Sequence, residues 1–438
     1  MSRKVYPIFT LTLDAIAGGG QSIGTLEDGR KCFVWGGLPG ESVTVQSTKI
    51  KSSLVEGIVT EVLTASPERV DPRDPNSYLS TSPWQIMTFE AEQRYKSQLI
   101  DDAFALHDIE LSKKPSVYSD DNIYNYRNKI EFSWYSDTDA ISSVDTLDIA
   151  FFRRGTKGKI PVTSTSLAHP NINQLAREIR DLLHTKAISA RQLKTLLIRS
   201  DQVGNCVWQL YTKDKLPDII TESEASKLPA QGGEIIYSDP RSPASRITER
   251  LANFGEITLR DSLLGTTFRY ATESFFQINL SVYSQVLTDI RKFVPSNKPV
   301  IDLYSGVGTI GLTVTPPDQP LTLVEINQSA VDEMQHNIAL LKRPNTEAIL
   351  SASETVTNLI DTNSTVIVDP PRAGLHHDVV ERLLEKSPSR IIYLSCNPVT
   401  QARDIKLLLD KYDISHLQGY NFFPRTPHIE NLVILDLR

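Results

Sequence analysis

The sequence predicts an α/β protein: a doubly wound parallel sheet at its C-terminal end, a β-rich α+β middle, and a small β-barrel in front. Three observations carry this. From residue 299 on, short apolar runs rich in Val, Ile and Leu alternate with amphipathic stretches, as in a parallel sheet covered by helices. The first of these runs ends in a glycine loop, Gly306-x-Gly308-x-x-Gly311, which gives the sheet a Rossmann-like crevice. The first 63 residues instead alternate apolar and polar side chains between turn signals. The expected division is 1–63 barrel, 64–292 middle region and 293–438 Rossmann-like domain.

Size and composition bound the problem. A chain of 438 residues suits two or three domains. Hydrophobic content of 40% and charged content of 23% are ordinary for a globular protein. The net charge of −7 gives no support to a large general affinity for phosphates. Three distant cysteines, Cys32, Cys206 and Cys396, make neither a disulfide framework nor a CxxC metal pair, so a reducing cytosol is expected. No apolar run is long enough to span a membrane. Pro7, Thr10, Thr12 and Asp14 break the N-terminal apolar stretch, so no signal peptide is expected. The chain is taken as a monomer.

In the first segment, Phe9, Leu11 and Leu13 begin the alternation. Gly18-Gly19-Gly20, Asp28-Gly29 and Leu38-Pro39-Gly40 punctuate it, and Val43, Val45, Val55, Ile58, Val59 and Val62 complete it. Asp28-Gly29 is a hairpin signal. The spacing predicts a five-stranded barrel of the oligonucleotide-binding kind. Lys49 and Lys51 fall in a loop, where they either touch phosphates or are simply solvated.

The middle opens on a linker-like stretch, Asp71-Pro72-Arg73-Asp74-Pro75-Asn76. Ala91, Tyr95, Leu99, Ile100, Ala103 and Phe104 then form a helical stripe over residues 89–106. Strands are expected at 129–134, 149–152, 195–198 and 206–211, with a helix over 171–184. The basic run Arg153-Arg154-Gly155-Thr156-Lys157-Gly158-Lys159 reads as a hairpin tip, either a solvated turn or an RNA-backbone contact. Glu273-Ser274-Phe275-Phe276-Gln277-Ile278-Asn279 precedes a helix of 281–293; its two aromatics and two carboxamides either wall a pocket or, as the plainer reading of the two phenylalanines, pack in the core.

In the last region, strands are expected at 299–304, 321–325, 366–368 and 391–394, with a final pair at 420–423 and 432–437. Helices are expected at 328–341 and 399–409. Glu325, at a strand tip after the glycine loop, suits the two hydroxyls of a ribose. Taken literally, the loop and Glu325 match a dinucleotide fingerprint, so NAD is a rival ligand. The acidic Asp302 on the first strand and Tyr304-Ser305 before the first glycine fit S-adenosylmethionine (AdoMet) better, with Asp302 near its amino group. Asp369-Pro370-Pro371-Arg372 builds a rigid polar corner suited to holding a flipped base.

Ser395-Cys396-Asn397-Pro398 ends the 391–394 strand, because Pro398 has no N–H for a ladder. A lone thiol therefore sits at the carboxyl end of a central strand, where open α/β sheets bind ligands. Cys396 is either a buried structural thiol or a nucleophile. Carbon 5 of uracil is a poor nucleophile until a thiolate adds to C6, and a base must afterwards remove the C5 proton. One Cys and one base suffice, without a metal. Glu430 and His428, both in Pro427-His428-Ile429-Glu430, compete for the base.

At these residues the chain resembles the RNA uridine-C5 (m5U) methyltransferase family over nearly its full length. The motifs are residues 302–311, Glu325, Asp369-Pro370-Pro371-Arg372, Ser395-Cys396-Asn397-Pro398 and Pro427-His428-Ile429-Glu430. The N-terminal segment resembles the TRAM domain of the 23S ribosomal-RNA members, including Gly18-Gly19-Gly20 and Leu38-Pro39-Gly40-Glu41. Tyr126-Arg127-Asn128-Lys129 and Phe151-Phe152-Arg153-Arg154-Gly155 match the central domain. The resemblance implies an AdoMet-dependent enzyme in which Cys396 attacks C6 and Glu430 removes the C5 proton. Gln277, Asp302, Tyr304, Gly306, Gly308, Glu325 and Asp369 would hold AdoMet, and Asp369, Arg372 and His428 would meet the uridine. Its partner would be RNA, 23S rRNA first and the tRNA T-loop as alternative. Many ribosomal-RNA members carry a four-cysteine iron–sulfur cluster. The corresponding 74–85 and 163–167 segments contain no Cys here, so no cluster is expected and the segment must be held by packing, with Trp84 and Phe89 as its centre. An NAD-dependent oxidoreductase, a non-catalytic RNA-binding protein and a cytosine-C5 methyltransferase are the rivals. The first two leave Cys396 and Glu430 without a joint task.

Overall fold

The computed structural model describes residues 6–137 and 146–438. Residues 1–5 of the predicted barrel and 138–145 of the predicted middle lie outside the described residues.

Among the described residues the barrel is a six-stranded sheet rather than a five-stranded one. Its alternating residues turn Leu11, Val34, Val43, Val45 and Val55 inward, with Cys32 among them as a core side chain. Burial pushes the Cys32 thiol up to about 11, which makes it unreactive. The extra element is the two-residue strand Ala15–Ile16, too short to show period-two alternation. The Gly18-Gly19-Gly20 loop beyond it leaves the barrel: Gly20, at φ 84°, presses against Pro427, and its carbonyl accepts from the Trp84 indole at 2.9 Å. A side chain at Gly20 would collide with the proline.

The 74–85 segment is held in two ways. Trp84 is buried with Leu38, Ile86, Met87, Ala91 and Leu99, while Phe89 faces the Arg425 guanidinium at 5.6 Å. A polar clasp adds to this packing. The Asp74 carboxylate accepts from the Ser166 hydroxyl at 2.8 Å and its amide at 3.0 Å, and from the Gln85 amide at 3.1 Å. At the basic hairpin tip, Arg154 is structural: its guanidinium stacks over Trp35 at 4.3 Å and donates to the Leu79 carbonyl. Arg153 and Lys157 remain exposed.

The middle is a seven-stranded sheet including Lys129–Tyr135, Asp148–Phe152, Leu193–Ser200 and Cys206–Thr212. Helix Pro170–Thr185 covers it, burying Ile172, Leu175, Ala176, Ile179 and Leu183 at helical spacing. Strands Gly232–Tyr237 and Glu249–Gly255, and the hairpin of Thr258–Leu263 with Thr266–Ala271, are additions to the elements expected from the sequence.

The last sheet has eight strands. Val300–Leu303 lies between Leu321–Glu325 and Thr365–Val368, all parallel, and Arg390–Ser395 follows. Glu430–Leu437 enters antiparallel. The chain reverses its winding between Val300–Leu303 and Thr365–Val368, so the crevice opens at their carboxyl ends. The penultimate strand is Tyr412–Tyr420, earlier than the 420–423 expected, because Phe422 and Phe423 turn away into a loop core. Helix Phe89–Ala105 packs on helix Pro398–Leu408, and Val117–Tyr118 extends the same sheet beside Tyr412–Tyr420. Among the described residues no helix is long and apolar enough to cross a membrane.

Candidate active site

A cavity of about 850 Å³ opens at the carboxyl ends of the central strands, within the size range of ligand pockets. Cys396, Glu430, Asp369, Arg372, Gln277, Tyr304, Gly306 and Glu325 all line it. Three predicted residues do not: Asp302, Gly308 and His428.

The register explains why Cys396 meets Glu430. Ser395 pairs with Asn431 in the antiparallel ladder, so the next position outward sets Cys396 opposite Glu430. Asn397 then caps the Pro398–Leu408 helix, accepting from the Val399 amide at 3.2 Å, and Pro398 starts that helix without a wasted N–H. The amide of the same Asn397 donates to the Arg372 carbonyl at 2.9 Å, and the Thr400 hydroxyl does so at 3.1 Å. These bonds lock the acidic corner against the cysteine turn. Asn397 belongs to the Ser395–Pro398 motif but carries no role in the sequence reading, and Thr400 lies outside every motif; a cap residue one position past a candidate nucleophile is the available signal.

Electrostatics divide the site. Burial, then the charges of Glu430 and Asp369, push the Cys396 thiol up to about 11, while Arg372 pulls the other way. The resting group is a thiol. Burial raises Asp369 to about 7, and burial with the neighbouring Asp369 charge raises Glu430 well above the carboxylate range. The two carboxyls therefore resist ionising together. Desolvation of its ring, although the side chain keeps an exposed edge, and then the cations Arg372, Lys96, Arg127 and Arg154 depress His428 to about 4. Neutral His428 takes the Arg372 guanidinium on Nδ1 at 3.3 Å. That leaves it outside the cavity, as a partner of Arg372.

The other end of the cavity is built by the glycine loop. The Glu325 carboxylate accepts from the Gly306 amide at 2.9 Å and the Asn327 amide at 2.8 Å. Its remaining lone pairs are free for a diol. Gly306 has φ 56°, and a Cβ there would meet open space, so the loop presents bare backbone to the cavity. Tyr304 also lies at positive φ, 63°, a strained conformation for tyrosine at a ligand-facing turn. Asp302 lies beneath the loop, fully buried, accepting from the Gly311 amide at 2.9 Å. Burial pushes it up to about 8, against the pull of the Gly311 amide. Gly308 caps the short helix Thr309–Val314 at φ 85° and packs near Leu312. Of the two phenylalanines read as core, Phe276 is buried and stacks on Tyr270 at 4.0 Å. Phe275 is 69% exposed and lines the cavity. Adjacent aromatics on an extended segment face opposite ways, so one of them had to point out.

Among the described residues no group of three or more His, Cys, Asp or Glu is placed to hold a metal.

A family model for tRNA (uracil-5-)-methyltransferase matches residues 89–438. An uncharacterized RNA methyltransferase of Fusobacterium nucleatum is 27% identical over 99% of this chain and 96% of its own. Another from Aquifex aeolicus is 26% identical over 98% of each. Among solved structures, the Pyrococcus abyssi tRNA (uracil-54, C5)-methyltransferase in complex with S-adenosyl-L-homocysteine superposes with a TM-score of 0.79 at 21% identity. That match covers 98% of this chain and 100% of the Pyrococcus chain.

Proposed function

The chain belongs to the tRNA (uracil-5-)-methyltransferase family, and from that premise we propose that it methylates C5 of a uridine in structured RNA, with Cys396 as nucleophile and Glu430 as base. The observation that supports these roles is the ladder register that sets Cys396 opposite Glu430 at the mouth of the crevice.

The residues at the glycine-loop end fit AdoMet. Glu325 offers a carboxylate to the ribose, Gly306 offers unshielded backbone, and Gln277, Tyr304 and Asp369 close the cavity around the donor. Asp302 and Gly308 serve from behind, by shaping the loop. When bound, AdoMet supplies the methyl group from its sulfonium.

Cys396 gives its proton to a neighbouring carboxylate, for which Asp369, held near neutrality, is suited. The sulfur then bonds to C6 of the uracil, and the C5–C6 electron pair moves toward O4 as an enolate. Arg372, beside Cys396 and steadied by neutral His428, favours this negative charge. With Asp369 neutralised by the thiol proton, Glu430 no longer faces a second charge and gives its own proton to solvent; after C5 has gained its methyl group, the Glu430 carboxylate takes the C5 proton. The released pair restores the C5–C6 double bond and expels the thiolate. The uridine must be flipped out of its stack to reach Cys396.

The barrel supports 23S rRNA as the first substrate, in the cytoplasm, with the enzyme acting as a monomer in three parts: 1–63, 64–292 and 293–438. A tRNA T-loop is the second reading, favoured by the Pyrococcus tRNA enzyme, whose fold spans the barrel as well. Mapping 5-methyluridine in total RNA with and without the gene tests both readings. Loss of one 5-methyluridine from rRNA or from tRNA is expected, and an unchanged map overturns the proposal.

A further inference from the structure

Arg199 is a fully buried arginine on strand Leu193–Ser200 of the middle sheet. Its fork donates to three carbonyls of a single segment: Ser274 at 2.6 Å, Phe276 at 2.7 Å and Thr272 at 3.3 Å. The guanidinium also lies over the Tyr270 ring at 4.7 Å and the Phe276 ring at 5.8 Å. The segment it holds is one wall of the cavity, lined by Glu273, Ser274, Phe275 and Gln277.

Residues 272–279 lie between a strand and a helix and belong to neither. Their carbonyls have no ladder and need donors from elsewhere. Asn128, on the neighbouring part of the middle sheet, completes the anchorage. Its side-chain amide donates to the Gln277 carbonyl at 2.9 Å, and its backbone amide to the Ile278 carbonyl at 3.2 Å. Burying a cation is costly, and here the Nε of Arg199 has no hydrogen-bond partner. An apolar residue would serve packing better, so the arginine is explained by the wall it shapes.

We propose that Arg199 is a positioning residue for the methyl-donor site: by gripping the 272, 274 and 276 carbonyls it fixes the wall from which Gln277 and Phe275 face the ligand. This rests on the AdoMet reading of the cavity. It also makes the middle sheet, which among the described residues supports the cavity through this wall, part of the donor site.

The test compares Arg199→Lys and Arg199→Met with the wild type by calorimetric binding of S-adenosyl-L-homocysteine, alongside hydrogen exchange of residues 272–279 without ligand. Leu196→Ala, a core truncation in the same strand, controls for loss of stability. Lysine keeps the charge but has no fork, so weaker binding of ~10-fold is expected from a displaced wall, with faster exchange confined to 272–279. Methionine should weaken binding further, and Leu196→Ala should leave the affinity near that of the wild type. Wild-type-like affinity and exchange in both Arg199 variants would overturn the inference. If the wild type itself does not bind S-adenosyl-L-homocysteine, the functional reading falls, and the exchange data alone judge the wall. If the Arg199 variants do not fold, Asn128→Ala, which removes one wall contact and no charge, takes their place under the same criteria.

Discussion

Cys396 and Glu430 lie one step beyond the last ladder pair, Ser395 with Asn431, and both line the same cavity, where the Glu430 charge acts on the thiol. Side chains alternate faces along a strand, so a one-residue slip would turn one of the two out of the cavity. The ladder thus sets the spacing between nucleophile and base. Cys396→Ala should abolish RNA methylation, leave S-adenosyl-L-homocysteine affinity unchanged, and cost about 1 kcal/mol of stability or less. Residual turnover in a radiolabelled methyl-transfer assay would remove Cys396 from the reaction.

Glu430→Gln separates addition from elimination. The amide cannot accept the C5 proton, so the sequence should stall after methyl transfer with the RNA still bonded to Cys396. A covalent RNA–protein band on a denaturing gel is expected, absent in the Cys396→Ala, Glu430→Gln double variant. If none forms, the base lies elsewhere. His428 is the next group to examine, although its Nδ1 is engaged by Arg372.

The thiol is held up by its acidic neighbours as well as by burial, which gives a sign to the pH dependence. Asp369→Asn removes one negative charge from beside Cys396, so the thiol should ionise at lower pH. Iodoacetamide labelling of ligand-free protein should reach half its maximal rate below the wild-type value of about 11. For the wild type, raising pH ionises Asp369, near 7, and then the thiol. Methylation should therefore climb between pH 6 and 9. A flat profile with chemistry rate-limiting would contradict the thiol-to-carboxylate step.

How far the sequence disclosed this site depends on which physics each residue obeys. Cys396, Asp369 and Glu325 were legible because apolar runs announce buried strands, and a polar residue at the end of such a run has a fixed place. The approach of Glu430 was not, since strand order and register are tertiary facts. The strand position of Asp302 predicts a ligand contact, whereas its buried carboxylate lies under the loop and accepts from the Gly311 amide. The 273–279 motif offers both a pocket wall and core packing, and Phe275 takes the first while Phe276 takes the second. Arg199 sits in an apolar strand with no local pattern to mark it, and the carbonyls that explain it lie more than seventy residues away.

Asp302 makes a testable contribution to stability. Its folded-state pKa, about 8, lies above the unfolded value. The folded protein holds this proton more tightly, so the associated stability is fully present below the unfolded pKa and is lost as pH rises through 8. Asp302→Asn can keep the acceptor for the Gly311 amide without the charge. The difference in melting temperature, variant minus wild type, should grow in the variant's favour between pH 6 and 9 when followed by circular dichroism. A constant difference would mean that Asp302 is not the buried acid described.

The Asp74 clasp ties the linker-like segment to the loop at Ser166 by three hydrogen bonds from Ser166 to a single carboxylate, which also accepts from Gln85 within the segment. Hydrogen bonds to a charged acceptor each stabilise by roughly 1.5–3 kcal/mol, with shared acceptors giving less than the sum. Asp74→Ala should therefore destabilise the protein by about 2–3 kcal/mol in chemical denaturation, and Ser166→Ala by less. Because the two residues share one network, their double variant should lose less than the two single losses added together. Protein purified anaerobically should carry no stoichiometric iron or acid-labile sulfide, since the clasp would then do mechanically what bound metal does in a cysteine-ligated segment. Strict additivity, or stoichiometric iron, would show that something other than Asp74 holds the segment in place.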